Sequence, residues 1–173
     1  MAAINLNTVR ATIEGRLATE MTSAPAYTVV FHNMPYTPTP NSTWLQCLVS
    51  FGNNSFLTMG GTTGSSNSVI GVMVINIFTP KGVGQGANLT IGKRVRDLYN
   101  RVIVSGVRFD PPTGPEVVAA PSPEGYFQTQ VRMTFEIFED LEPWPSIAVS
   151  KVPSNLTMPA PPLLSLHLHV HGP

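Results

Sequence analysis

Three histidines near the end of the chain, His167, His169 and His171, alternate with Leu166, Leu168 and Val170. In an extended segment residues two apart point the same way, so three imidazoles would line one face. Neutral imidazoles bind zinc, nickel or copper, and two or three could converge on one ion. The same alternation describes a strand with Leu and Val packed inward and polar rings outward. No acidic residue or cysteine stands nearby to complete a site. The segment therefore reads first as a strand of an arm, with no metal and no other cofactor assigned. A purification tag fits less well, because tags are usually uninterrupted histidine runs.

Other patterns resemble chemistry and fail on spacing. Gly82-Val83-Gly84-Gln85-Gly86 runs toward a helix that carries Lys93. A phosphate-cradling loop needs G-x-x-x-x-G-K-[ST], so that amides wrap the phosphates and a hydroxyl holds magnesium. Here Ala87 stands at the first glycine position and Arg94 follows the lysine. The dinucleotide pattern G-x-G-x-x-G lacks its third glycine. Cys47 sits in an apolar run, where a buried thiol is inert. His32 could pair with it, but no third residue supports a triad. No G-x-S-x-G elbow and no motif-like carboxylate pair occurs. The expectation is a protein without enzymatic activity. The densest charge cluster is Lys93, Arg94, Arg96 and Arg101, with Asp97 and Asp110 nearby. Such a run is usually a solvated helix face; otherwise it would meet an acidic neighbour or line a passage for nucleic acid.

Composition points away from a solitary particle. The chain has 173 residues, with ten basic and ten acidic side chains that cancel. Charged residues are 12% of it, about half the usual ~25%. Bulk electrostatic attraction to nucleic acid is excluded, and so is the self-repulsion that keeps many soluble monomers apart. The deficit is filled by Gly, Pro, Ser, Thr and Asn, including 14 Gly and 17 Pro. That composition fits loops, disorder or surface buried against partners. A single cysteine rules out an internal disulfide. The apolar runs are too short to span a membrane as a helix. Residues 1–17 carry Arg10, Glu14 and Arg16 and do not resemble a signal peptide, so an intracellular compartment is expected. The sequons at Asn41, Asn53, Asn88 and Asn155 are then chance matches.

The elements that would position these residues follow from periodicity. Leu6, Val9, Ile13 and Leu17 recur at helical spacing, with Asn5 or Asn7 as cap. Residues 27–32 and 44–51 suit strands; Gly52-Asn53-Asn54 reads as a turn, with a short strand at 55–59. Residues 60–68 form a Gly/Ser-rich loop. Residues 69–78 are apolar on both faces, as in a covered central strand. A second helix is expected over 87–100, with Ile91, Val95, Leu98 and Val102 inward. Residues 102–109 read as one strand and 110–125 as a Pro-rich loop. Residues 126–139 alternate most clearly, with Phe127, Thr129, Val131, Met133, Phe135 and Ile137 on one face. Residues 141–173 hold seven prolines but only two charges, Glu142 and Lys151. They are too apolar for a solvated linker and too Pro-rich for a domain. The expected organisation is an α+β domain over 1–140, its mainly antiparallel sheet carrying two helices, followed by an extended arm over 141–173.

The order of pieces carries a resemblance. Val9-Arg10-Ala11-Thr12-Ile13-Glu14-Gly15-Arg16-Leu17 precedes Val29-Val30-Phe31-His32-Asn33-Met34-Pro35-Tyr36 and Thr43-Trp44-Leu45-Gln46-Cys47. Then come Gly71-Val72-Met73-Val74-Ile75-Asn76-Ile77-Phe78-Thr79-Pro80-Lys81-Gly82-Val83-Gly84 and the helix bearing Val95 and Leu98. From residue 4 to residue 140 this resembles the tail terminator (tail completion) proteins of long-tailed bacteriophages. The resemblance implies a structural virion protein at the tail–neck junction, assembled in the host cytoplasm as a ring, hexameric in the family. The ring caps the tail tube, stops its polymerisation and meets a neck or head-completion protein. DNA passes through the channel without sequence-specific contact. No catalytic residue is implied, and the 141–173 extension departs from the family pattern.

Interface candidates are the Gly60, Gly61, Thr62, Thr63, Gly64, Ser65 loop, the basic face of Lys93, Arg94, Arg96 and Arg101, and the arm's Trp144, Leu163, Leu164, Leu166 and Leu168. The competing readings are a head-completion stopper or other neck component, a subunit derived from the tail tube, and a metal- or ligand-binding module built on the histidines.

Overall fold

Asn5 opens the first helix, α1 (Leu6–Thr22), by accepting from the backbone N–H of Asn7 at 2.9 Å and of Thr8 at 3.2 Å. Those donors would otherwise lack partners at a helix start. The structure is a computed structural model that describes residues 4–58, 65–119 and 122–140. The 141–173 arm, with all three C-terminal histidines, lies outside the described residues.

After α1 the chain forms β1 (Thr28–Phe31), β2 (Trp44–Phe56) and β3 (Ser66–Pro80), then α2 (Gly86–Tyr99). It continues as β4 (Ile103–Val104), β5 (Val107–Phe109), β6 (Thr113–Val117) and β7 (Tyr126–Asp140). All seven strands join one sheet in the order β1-β2-β3-β7-β5-β4, with β6 also on β7. Only the β1–β2 pair is parallel. The expected α+β domain, with two helices and a mainly antiparallel sheet, is what forms.

Four local expectations need correcting. Gly52-Asn53-Asn54 is not a turn, because β2 runs on to Phe56. The register steps from Phe51 opposite Gly71 to Asn54 opposite Val69, which leaves one extra residue on β2. That is a β-bulge, the alternative use of Gly and Asn inside a strand. Residues 102–109 are not one strand but the β4–β5 hairpin, turned at Ser105-Gly106 with φ of 48° and 84°. Two consecutive positive φ values suit a two-residue hairpin turn, where glycine costs least. The 110–125 loop contains β6, which borrows its register from β7. Finally, Ser66 to Ser68 belong to β3, so the Gly/Ser-rich connection is shorter than composition suggests.

Both helices contribute to the core over one face of the sheet. Val9, Ile13, Leu17 and Met21 of α1 join Ile91, Val95 and Tyr99 of α2. The sheet supplies Leu45, Cys47, Met73, Ile75, Ile77, Val131, Met133, Phe135 and Ile137. Leu6, expected in the α1 stripe, is half-exposed at the first turn, and Met21 extends the stripe at the other end. In α2, Val102 falls beyond the helix and Tyr99 takes the inward place, its hydroxyl donating to the Ile13 carbonyl at 2.8 Å. On the opposite face Trp44 stacks on Phe78 at 4.0 Å, with Val30 and Tyr126 completing a second cluster.

Candidate functional site

The described surface offers no catalytic constellation, and what it offers instead is unpaired backbone. β1 covers β2 only from Trp44 to Cys47. Over residues 48–56, β2 has β3 on one side and no described strand on the other. β7 pairs with β3 along its whole length, from Tyr126 to Asp140. On its other edge β6 takes residues 129–132 and β5 takes residues 135–136. Residues 137–140 have no described strand on that edge.

The two open stretches are level with each other. Across β3, Asn54 lies opposite Val69 and Val69 opposite Ile137; Phe56 lies opposite Asn67 and Asn67 opposite Glu139. The far end of the sheet is thus a three-stranded ribbon with an open edge on each side.

The side chains there fit a contact surface. Residues 48–56 of β2 contain no charge and no proline, the usual guards of a solvent-exposed edge. Phe56 is 82% exposed, and Leu57 beside it is half-exposed. Asn67, opposite Phe56, is buried, yet its side-chain Oδ1 has no hydrogen-bond partner among the described residues. Beside the β7 edge lies a groove of about 620 Å³, walled by Ile4 and Val9, Ile103 of β4, and Ile137 and Phe138. Arg108 forms part of the wall, held by the Glu136 carboxylate and with its guanidinium 5.9 Å from the Phe138 ring.

The basic face of α2 is less free than its sequence suggests. Arg94 donates to the Glu20 carboxylate at 2.7 Å, to the Pro25 carbonyl at 2.8 Å and to the Glu20 carbonyl. It closes the C-terminal end of α1, where unpaired carbonyls collect. Lys93 pairs with Asp97 one turn on, while Arg96 and Arg101 are exposed. Ser65 is buried, and Gly60, Gly61, Thr62, Thr63 and Gly64 lie outside the described residues. So do Trp144, Leu163, Leu164, Leu166, Leu168, His167, His169 and His171.

Two buried groups speak about chemistry. Burial, followed by the charge of Glu14, pushes the Cys47 thiol up to about 12, so it stays protonated and unreactive at neutral pH. Asn88, one of the four sequons, is fully buried at the start of α2. Its amide donates to the Ile77 carbonyl at 3.2 Å and to Thr129 Oγ1 at 3.0 Å, and its oxygen accepts from Thr79 Oγ1 at 2.5 Å. This bracket fixes α2 to β3 and β7. Only its Asn-x-Thr spacing was visible in sequence, and that pattern points to the wrong chemistry. Among the described residues no three His, Cys, Asp or Glu side chains group as metal ligands. No described helix is long and apolar enough to cross a membrane.

Comparison with known proteins bears on the fold and on the family. One solved structure superposes with a TM-score of 0.58 at 17% sequence identity, over 83% of this chain and 99% of that one. At that identity the likeness bears on the fold alone. No curated protein matches the chain. A model of a family described as phage tail terminator protein matches residues 8–135. That is most of the described domain, and the family is a structural one: the chain belongs to the phage tail terminator proteins.

Proposed function

We propose that the chain assembles into a closed ring, a hexamer as in related terminators, that caps the finished tail tube and stops its polymerisation. The ring then presents its other side to a neck or head-completion protein. The observation that carries this reading is the family match over residues 8–135. The open edges support it, because a cyclic assembly uses two different patches on each protomer. DNA crosses the channel without base contacts, in keeping with a chain of zero net charge. Gly60, Gly61, Thr62, Thr63 and Gly64 face the tube or the lumen; Ser65, buried within the chain, does not. The 141–173 arm, through Trp144, Leu163, Leu164, Leu166 and Leu168, grips a neighbouring protomer or the adjacent ring. Arg96 of α2 and Arg101, just beyond its end, supply charge for a partner.

Imaging of one assembled particle tests the reading. A single six-fold ring of this chain between tube and head is expected; copies stacked along the tail would identify a tube subunit instead. Deleting residues 141–173 should leave the 1–140 domain folded and weaken ring formation or tail attachment. Unchanged assembly would remove the arm from the account.

A further inference from the structure

We infer that the β2 edge of one copy pairs with the β7 edge of the next, extending one sheet across the protomer boundary. This rests on the ring reading above and names the surface that would build it. The occupant of each open edge is a second copy of this chain, for two reasons. The two edges lie on opposite sides of one ribbon and at one level, Asn54–Val69–Ile137 and Phe56–Asn67–Glu139. Repetition by rotation therefore brings unlike edges together, and each supplies the amides and carbonyls that the other lacks. β2 and β7 are both antiparallel to β3, so they share a direction. A repeat that preserves that direction joins them as a parallel pair.

The second reason is side-chain fit. Asn54 and Phe56 pair with Val69 and Asn67, which lie on the same side of the sheet as Ile137. An edge added beside residues 137–140 carries Phe56 toward the part of the groove formed by Ile4, Val9 and Ile137. The most exposed aromatic ring of the domain would thereby fill its apolar groove.

Charge does not select the occupant: the β2 edge is neutral over residues 48–56, whereas the β7 edge includes Glu139 and Asp140. Addition of a strand from a like chain gives both edges backbone partners.

The test uses the full chain at high concentration. Phe56→Glu puts a charge on the ring that should enter the groove, at a position too exposed to threaten folding. It should stay monomeric by native mass spectrometry and keep the wild-type melting curve. The double variant Phe56→Cys/Ile4→Cys, oxidised, should give a ladder of disulfide-linked chains that ends at the ring size; either single variant should stop at dimers or below. A Phe56→Glu chain that forms rings at wild-type yield, with no ladder from the double variant, overturns the edge pairing and leaves the ring reading standing. A wild-type chain that never passes beyond monomer overturns both.

Discussion

β2, β3 and β7 run through two different environments. Around Cys47, Ile75 and Val131 the three strands lie in the core to which both helices contribute, and these side chains are fully buried. Around Phe56, Asn67 and Glu139 the same strands continue as a ribbon whose edges, and the Asn67 side-chain oxygen, have no partner among the described residues, and Phe56 is exposed. Backbone pairing with β3 is continuous across both; what differs is the cover. One half of the sheet stabilises the fold, and the other lacks cover among the described residues. Substitutions in the two halves should therefore separate stability from assembly.

The largest effect is expected in the packed half. Phe135 is fully buried and packs on Phe51 at 5.7 Å and Phe109 at 5.9 Å, with its ring in the space that a Cβ on Gly71 would occupy. Phe135→Ala should cost about 3–5 kcal/mol in urea denaturation. Asn88→Leu comes next. It strands the Thr79 and Thr129 hydroxyls and should cost about 1–3 kcal/mol, which the same measurement reads.

A pH effect of similar size belongs to Cys47. Its folded pKa of about 12 lies above the ordinary 9.0 that the unfolded chain regains. The unfolded thiol ionises first, so stability is unaffected below pH 9.0 and falls as pH rises toward 12. One pH unit above 9.0 the loss should be about 1.4 kcal/mol relative to Cys47→Ala, which lacks that slope. A wild-type chain that tracks Cys47→Ala across this window would show that the thiol is not buried. The smallest effect on stability is expected at the bare end. Phe56→Glu should change it by less than about 0.5 kcal/mol, although it removes assembly. A large loss of stability there would erase the contrast between the two halves.

Much of the packed half was readable in the sequence, because periodicity reports burial. The α1 positions Val9, Ile13 and Leu17, the apolar run of β3 and the alternation of β7 all follow from which faces are covered. Gly52-Asn53-Asn54 and Ser105-Gly106 are ambiguous in sequence because Gly serves strands, bulges and turns alike. Which one forms depends on the strand opposite, and local sequence does not contain that. The candidate surface was less legible still. An open edge is a property of register, namely that pairing with β1 ends at Cys47 of β2 and pairing with β5 at Glu136 of β7, and neither limit has a residue signature. The one available signal is the run of uncharged residues over 48–56, which suits a strand and turn as well as an edge without guards. Arg94 shows the opposite failure. As a charge in a basic run it suggested a partner, while its geometry closes the end of α1.

Amide hydrogen exchange on the wild-type chain, as monomer and as assembled ring, measures the claim most directly. The account predicts that protection rises on assembly at residues 48–56 and 137–140, while amides of the covered part of the sheet, such as those of Ile75 and Val131, are protected in both states. Assembly that leaves both edges exchanging as in the monomer, with new protection on α2 around Arg96 and Arg101, would contradict it.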